Sequence, residues 1–407
     1  MTHDMSANTP SDIEAILGRD LSSTLEWERQ AFDRLAAPFG RSVVLFGAGN
    51  LGRQILERLR KEGIEPRAFA DNNQTLHGTS IEGVPVLSPA DAAARYGTIA
   101  AFVITIWNPG HSFLQTKRQL AALGCSHVVS AIPLRWKFAE DLLPYLWLDL
   151  PSRTLDNAAS VKSALSIWAD DLSRREFIAQ LKFRLCGEFE SLSEPVPQAS
   201  YFPDDLFALR SDETFVDCGA FDGITIRQFL ERQSSFEGQI VAFEPDPRNL
   251  ASLRTYASDL PTHLRERVTV SSQAVGSTVG TVKFNAIGTM GSAVDPHGTA
   301  EVECVTLDAY LRQADLVPSY VKMDIEGAEL EALAGARESI QRHRPILAVC
   351  LYHRPSDLWR IPLSIATLTE GYSLFLRPHE PEGWQLVCYA IPTNRLRTGP
   401  ERFEAWG

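Results

Sequence analysis

The chain has 407 residues, of which 44% are apolar and 22% charged, and a formal net charge of −12. That length predicts two or three domains, and the acidic balance argues against a phosphate backbone or an anionic membrane as the main partner. The opening residues Met1–Pro10 are polar, and no stretch reaches the ~18 apolar residues of a membrane span. A cytoplasmic protein acting on a small molecule or a glycan is therefore expected, without nucleic-acid or membrane partners and with its oligomeric state open. The six cysteines are scattered without a Cys-x-x-Cys pair, so neither a disulfide framework nor a zinc site is expected.

Residues 11–40 show rough helical spacing, followed by an apolar strand at Ser42–Gly47, a glycine-rich turn and a helix over Gly52–Glu62. Pro66–Ala70 reads as a second strand ending at Asp71, and Val84–Leu87 as a third. Ser88 and Pro89 have the N-cap and first-turn chemistry of a helix start. Ile99–Ile106 predicts a strand, Leu114–Leu123 a helix and His127–Ser130 a last strand. This alternation predicts a parallel sheet covered by helices over residues 1–135. Residues 136–200 read as a helical bridge, with a proline-bearing connector at Ser191–Gln198.

From Tyr201 to the end, over 201–407, the alternation returns. Strands are predicted at Thr214–Cys218, Gln239–Phe243, Val268–Ser272, Tyr320–Met323 and Ile346–Leu351. Helices are predicted at Thr225–Arg232, Pro247–Ser258, Leu307–Arg312 and Ala328–Ser339. Short β-type runs at Thr281–Asn285 and Glu301–Val305 lie between. Ser373–Arg377 and Trp384–Ile391 read as an antiparallel edge pair with no strong helix between them. The fold class expected is α/β: two Rossmann-like, doubly wound domains joined by the helical bridge.

Chemistry concentrates at the strand ends of the second domain. Phe215-Val-Asp-Cys-Gly-Ala-Phe-Asp-Gly223 runs a strand into a small-residue turn, with Gly219, Ala220, Phe221 and Gly223 ahead of a helix. Such a turn lets a ligand approach the backbone closely, beyond the carboxyl end of the sheet. Glu244, in Val241-Ala-Phe-Glu-Pro-Asp246, ends the next strand with Pro245 behind it. A carboxylate there accepts two ribose hydroxyls side by side. Gln273 and Ala274 follow the third strand, where a base would lie. Tyr320-Val-Lys-Met-Asp-Ile-Glu-Gly-Ala-Glu329 carries Asp324 at a strand end, then Glu326 and Glu329 at a helix start. Helix-dipole stabilisation explains acids there; so does a role in taking a proton, gripping sugar hydroxyls or holding a divalent cation. His353, just after the fifth strand, is a second proton-acceptor candidate or a structural histidine, and Lys322 a functional group or a buried stem with a paired head.

Together these segments resemble the FkbM-type methyltransferase family, over roughly residues 200–395. The resemblance implies a class I methyltransferase sheet ending in an antiparallel hairpin. It also implies S-adenosylmethionine as methyl donor and O-methylation of a hydroxyl on a sugar, polysaccharide or secondary metabolite. For that cofactor Asp217 is placed to bond the methionine ammonium, directly or through water, and Thr225 to help with its carboxylate. Gly219, Ala220, Phe221, Gly223, Glu244, Pro245, Gln273 and Ala274 complete the expected cofactor site. Asp324, Glu326 and His353 are the catalytic candidates; no metal is assigned. Phe221 departs from the glycine common in class I turns.

The first domain carries its own fingerprint. Gly47-Ala-Gly49-Asn50-Leu51-Gly52 follows a strand and opens a helix, and Asp71 ends the next strand. This is the arrangement that holds a nucleotide, NAD or nucleotide-sugar, although such turns also serve as structure alone. Trp107-Asn-Pro-Gly-His111 lines a sugar pocket or forms a turn. An NAD- or nucleotide-sugar-dependent oxidoreductase or epimerase is thus the alternative function. The intact acids Asp217, Glu244 and Asp324 argue against a third reading, a scaffold without activity.

Overall fold

The computed structural model describes residues 9–196 and 200–397. The opening Met1–Asn8 and, in the expected connector, Pro197 and Gln198 lie outside the described residues. Two compact units emerge, the first comprising Met1–Ala158, Ile178–Glu194 and Glu380–Trp384. The second comprises Ala159–Phe177, Pro195–His379 and Gln385–Gly407.

The first unit is built on β1 (Val43–Phe46), β2 (Ala68–Ala70), β3 (Ser80–Ile81), β4 (Val84–Leu87), β5 (Ala101–Ile104) and β6 (Val128–Ser130). Their order is β3-β4-β2-β1-β5-β6, parallel except for β3 against β4. Every side chain of β1 is buried, as its unbroken apolar run requires of a strand covered on both faces. Leu51, Ile55, Leu56 and Leu59 from the helix Asn50–Lys61 pack on that sheet. Ser88 caps Pro89–Tyr96 by accepting from the Asp91 N–H at 3.1 Å, as its position in sequence predicts.

Glu380–Trp384 also belongs to this unit. Gly110 N–H donates to Glu380 Oε2 at 3.2 Å, and Phe113 N–H, at the start of the helix Phe113–Ala122, donates to the Glu382 carboxylate. The Trp384 ring stands edge-on to Trp147 with centroids 4.8 Å apart. Burial pushes the Glu382 carboxyl up to about 7 against the opposing Phe113 N–H. The folded chain therefore holds this proton over a range in which the unfolded chain has released it. Its contribution is fully present below about pH 4.5 and is lost as pH rises to about 7, a change on the order of 1–3 kcal/mol. Comparing melting temperatures at pH 5 and pH 8, the drop in wild type exceeds that in Glu382→Gln by several degrees. Equal drops in both would dissociate Glu382 from the pH dependence.

The second unit holds β7 (Thr214–Cys218), β8 (Gln239–Phe243) and β9 (Val268–Ser271), then a small sheet of β10 (Ala274–Val275), β11 (Gly280–Asn285), β12 (Ala293–Val294) and β13 (Ala300–Val305). It continues with β14 (Tyr320–Met323), β15 (Ile346–Cys350), β16 (Tyr372–Pro378) and β17 (Leu386–Pro392). The main sheet is ordered β16-β17-β15-β14-β7-β8-β9, and β17 runs antiparallel to both its neighbours. The expected edge hairpin is thus present. The chain winds outward from β7 through β8 to β9 and then returns to β14 on β7's other side, which makes the β7/β14 boundary the switch point. Phe215 of β7 stacks on Phe229 of the helix Ile224–Arg232, centroids 4.9 Å apart and planes 8° off parallel, and this holds the helix against the sheet.

The structure adds three features to the sequence reading. Ala328–Ser339 is two helices, Glu329–Gly335 and Arg337–His343, parted at Ala336, whose φ of −108° and ψ of 6° leave the helical region, beside Gly335, where an added Cβ would lie 2.1 Å from the Gly276 carbonyl oxygen. A helix at Asp357–Leu368 precedes the hairpin, with Pro362 inside it, the residue that interrupts a helical reading. The bridge 136–200 is apportioned between both units. Its long helix Asp171–Cys186 passes from one to the other and buries residues all round, so no single apolar face marks a boundary in sequence.

Candidate functional site

Four neighbouring strands of the main sheet, β8, β7, β14 and β15, bring the predicted residues to their carboxyl ends. The turn after β7 is pinned from both sides. The N–H groups of Gly219 and Ala220 both donate to the Phe243 carbonyl at 3.0 Å, and Asp324 N–H donates to the Cys218 carbonyl at 3.0 Å. Gly219 has φ +83°, and an added Cβ would sit 1.9 Å from the Asp324 carbonyl oxygen, so only glycine fits. Phe221 takes φ +51° without being glycine, and Gly223, also left-handed, caps the following helix with Thr225 buried in its first turn.

Glu244 ties this turn to the next strand. Its Oε2 accepts from Phe221 N–H and its Oε1 from Asp246 N–H, each at 2.9 Å. Burial raises its carboxyl to about 7 despite those two donors. Pro245 is half-buried beside it. Asp246 N-caps Pro247–Asp259 with one oxygen and holds Gly288 N–H and Ser292 Oγ with the other. Gln273 bridges Ser271 Oγ and Glu303, and buried Ala274 belongs to the small sheet rather than to the end of β9.

Asp217 and Lys322 are register partners on β7 and β14, and both are buried. Lys322 Nζ lies 3.0 Å from Asp217 Oδ1, donates to the Gly219 carbonyl at 2.7 Å and sits 5.2 Å from the centroid of the Tyr201 ring. Burial alone would lower the ammonium; the Asp217 and Asp324 carboxylates outweigh it and keep Lys322 charged. The observed partner of Asp217 is thus this lysine, inside the sheet. Of the two readings of Lys322, the buried stem with a paired head is the one seen.

Asp324, Glu326 and His353 converge. His353 Nε2 is 3.2 Å from Asp324 Oδ1 and 3.6 Å from Glu326 Oε1, while its Nδ1 is 2.8 Å from Glu329 Oε1. Asp324 Oδ2 accepts from the Tyr201 hydroxyl at 2.7 Å and Oδ1 from the Tyr352 hydroxyl at 2.9 Å. Gln385 links those two phenols. Burial would raise the Asp324 carboxyl, but His353, Lys322 and Tyr201 hold it well below the usual carboxylate range. Glu326, in a left-handed conformation at φ +56°, is pushed up to about 7 by burial and by the charges of Asp324 and Glu329. Glu329, buried, also accepts from Ile325 N–H at 3.0 Å. The sequence reading did not single out Tyr201, Tyr352 or Gln385. Tyr352 adjoins His353 and was within reach of that reading, whereas Tyr201 and Gln385 carry no local signal.

In the first unit the glycine turn also closes on an acid. Asp71 Oδ2 accepts from Ala48 N–H at 2.7 Å and Oδ1 from Asn73 N–H at 2.8 Å. Gly47 is left-handed, and Gly52 packs so tightly that an added Cβ would lie 2.2 Å from the Gly47 carbonyl oxygen. Gly49, with Asn50 and Leu51 opening the helix, faces open space. Trp107 packs near Trp147 and Phe183, and His111 pairs with Thr116 Oγ1 at 3.0 Å.

Comparison with known proteins agrees with this geometry. Against solved structures, the chain is similar to methyltransferase FkbM from Methylobacillus flagellatus KT, with a TM-score of 0.75 and 23% identity over 95% of this chain and all of that one. That likeness shows a shared fold. The curated 2-O-methyltransferase NoeI of Sinorhizobium fredii (strain NBRC 101917 / NGR234) is 26% identical over 157 residues, which are 33% of this chain. The match spans 62% of that relative's length. Residues 217–372, from the buried aspartate of β7 to the first residue of β16, match the methyltransferase FkbM domain.

Proposed function

We propose that the protein is an S-adenosylmethionine-dependent O-methyltransferase whose acceptor is a hydroxyl of a sugar, polysaccharide or secondary metabolite. The observation that carries this reading is the row of strand ends β8, β7, β14 and β15. It sets Glu244, the Gly219 turn, Asp324 and His353 side by side at a switch point. The likeness to a 2-O-methyltransferase supports oxygen as the atom methylated.

In this reading Glu244 and the backbone from Gly219 to Gly223 hold the ribose and methionine ends, with Thr225, Pro245, Gln273 and Ala274 around them. Asp217 acts through Lys322, which fixes the Gly219 carbonyl. The acceptor oxygen attacks the methyl carbon in line. The S–C bond breaks with its electron pair on sulfur, the O–C bond forms, and the hydroxyl proton passes to the Asp324–Glu326–His353 cluster. Alignment lowers such a barrier by several kcal/mol, and proton removal adds roughly 10²–10⁴-fold.

Parallel calorimetric titrations with S-adenosylmethionine, S-adenosylhomocysteine, NAD and a nucleotide-sugar test this. Binding of the first two supports the proposal. Binding of NAD alone moves the activity to the first unit and favours the oxidoreductase or epimerase alternative. In Asp324→Asn, cofactor affinity stays within about threefold while methyl transfer to a screened acceptor slows by roughly 10²-fold or more. Undiminished transfer would remove Asp324 from the site's chemistry.

A further inference from the structure

The acid–histidine cluster has a feature that proton transfer alone does not explain. His353 has 2% of its side chain exposed, and its Nε2 makes no hydrogen bond, although Asp324 Oδ1 and Glu326 Oε1 flank it at 3.2 and 3.6 Å. On the other side of the ring, Nδ1 meets Glu329 Oε1 at 2.8 Å. With the Nδ1 proton donated to that buried carboxylate, a cation that displaces the Nε2 proton meets a lone pair facing both acids. One ligand-type atom from each of Asp324, Glu326 and His353 lies within 4.8 Å of the other two. Ligands about 2.0–2.2 Å from one ion lie roughly 3.0–3.4 Å apart at octahedral or tetrahedral angles. The 3.2 Å separation falls in that range and the 3.6 Å separation lies just above it, so a small movement of the Glu326 side chain would bring it to a centre shared with Asp324 and His353.

We propose that Asp324, Glu326 and His353 hold a divalent first-row cation, with Glu329 orienting the histidine. Two carboxylate oxygens and one imidazole nitrogen suit manganese, iron or zinc better than calcium. The carboxylate behind the imidazole is the arrangement that fixes a ligating ring's tautomer and raises its basicity. Tyr201 and Tyr352, both donating to Asp324, hold that ligand in place. The cation's use rests on the methyltransferase reading: it binds the acceptor hydroxyl, lowers that group's pKa and fixes its direction of attack. The cation binding itself stands without that reading.

The test is calorimetric titration of the full chain, stripped with a chelator and dialysed, with MnCl2, ZnCl2 and MgCl2. One-to-one binding of Mn2+ or Zn2+ is expected, at least tenfold weaker in both His353→Ala and Glu326→Gln and tighter than Mg2+. Circular dichroism checks that each variant is folded. If His353→Ala does not fold, Glu326→Gln decides, because Glu326 is the most exposed of the three. Absence of saturable Mn2+ and Zn2+ binding, or binding unchanged in the folded variants, overturns the proposal. S-adenosylmethionine is titrated into the same samples. Its binding without cation binding overturns the cation alone, and its failure to bind wild type overturns the methyltransferase reading whatever the cation does.

Discussion

Glu244→Ala loses S-adenosylmethionine affinity by at least ~100-fold in a calorimetric titration. In the proposed role of Glu244, two charge-assisted hydrogen bonds to the ribose go at once, each on the order of 1.5–3 kcal/mol, and tenfold in affinity is about 1.4 kcal/mol. The side chain also accepts the Phe221 and Asp246 N–H groups, so its removal loosens the turn that approaches the cofactor. Glu244→Gln keeps the volume and serves as the milder variant. Burial raises this carboxyl to about 7, and the ionised form is the better acceptor of two hydroxyls. Affinity in wild type therefore rises with pH, by about fivefold from pH 6 to 7, about twofold more to pH 8, and little further above that. The Gln variant shows a flat profile. An alanine variant with unchanged affinity would take Glu244 out of the cofactor site.

Lys322→Met destabilises the fold by about 3–5 kcal/mol, the usual loss when one partner of a buried ion pair is removed and the other left charged. At the ~2–4 °C per kcal/mol of a domain this size, melting falls by roughly 10 °C. Asp217 is fully buried, and the Gly219 carbonyl loses its donor. The double variant Asp217→Asn/Lys322→Met recovers part of the loss, because it removes the stranded charge together with its partner. A single variant that melts like wild type would show that the pair is held by the strands and does not hold them.

The parts of this molecule legible in sequence are those where one local pattern decides. The buried runs Val43–Phe46 and Ile346–Cys350 read as strands because only a strand covered on both faces tolerates such continuity. Ser88 and Asp246 mark helix starts through their own side chains. Gly219 announces a tight turn, and the spacing to Glu244 announces the acid beyond it. What stayed hidden depends on distance in sequence. Tyr201 reaches Asp324 across 123 positions, and Gln385 reaches Tyr201 across 184. The small sheet could not be separated from the main one, because runs such as Gly280–Asn285 alternate in exposure in the way a half-covered edge of either sheet would. The role of Lys322 needed the register that places it beside Asp217, which no periodicity records.

The segment Glu380–Trp384 sets a limit on how this chain can be divided. Following the sequence, the path changes unit after 158, 177, 194, 379 and 384. A ribosome making the protein has therefore passed the whole of β7 to β16 before the first unit receives Glu382 and Trp384. A fragment cut at residue 200 separates pieces that pack together: the N-terminal product lacks the ring that meets Trp147, and the C-terminal product carries that ring without Trp147. Domain swaps between relatives of this architecture would have to move three segments together rather than exchange one end for another.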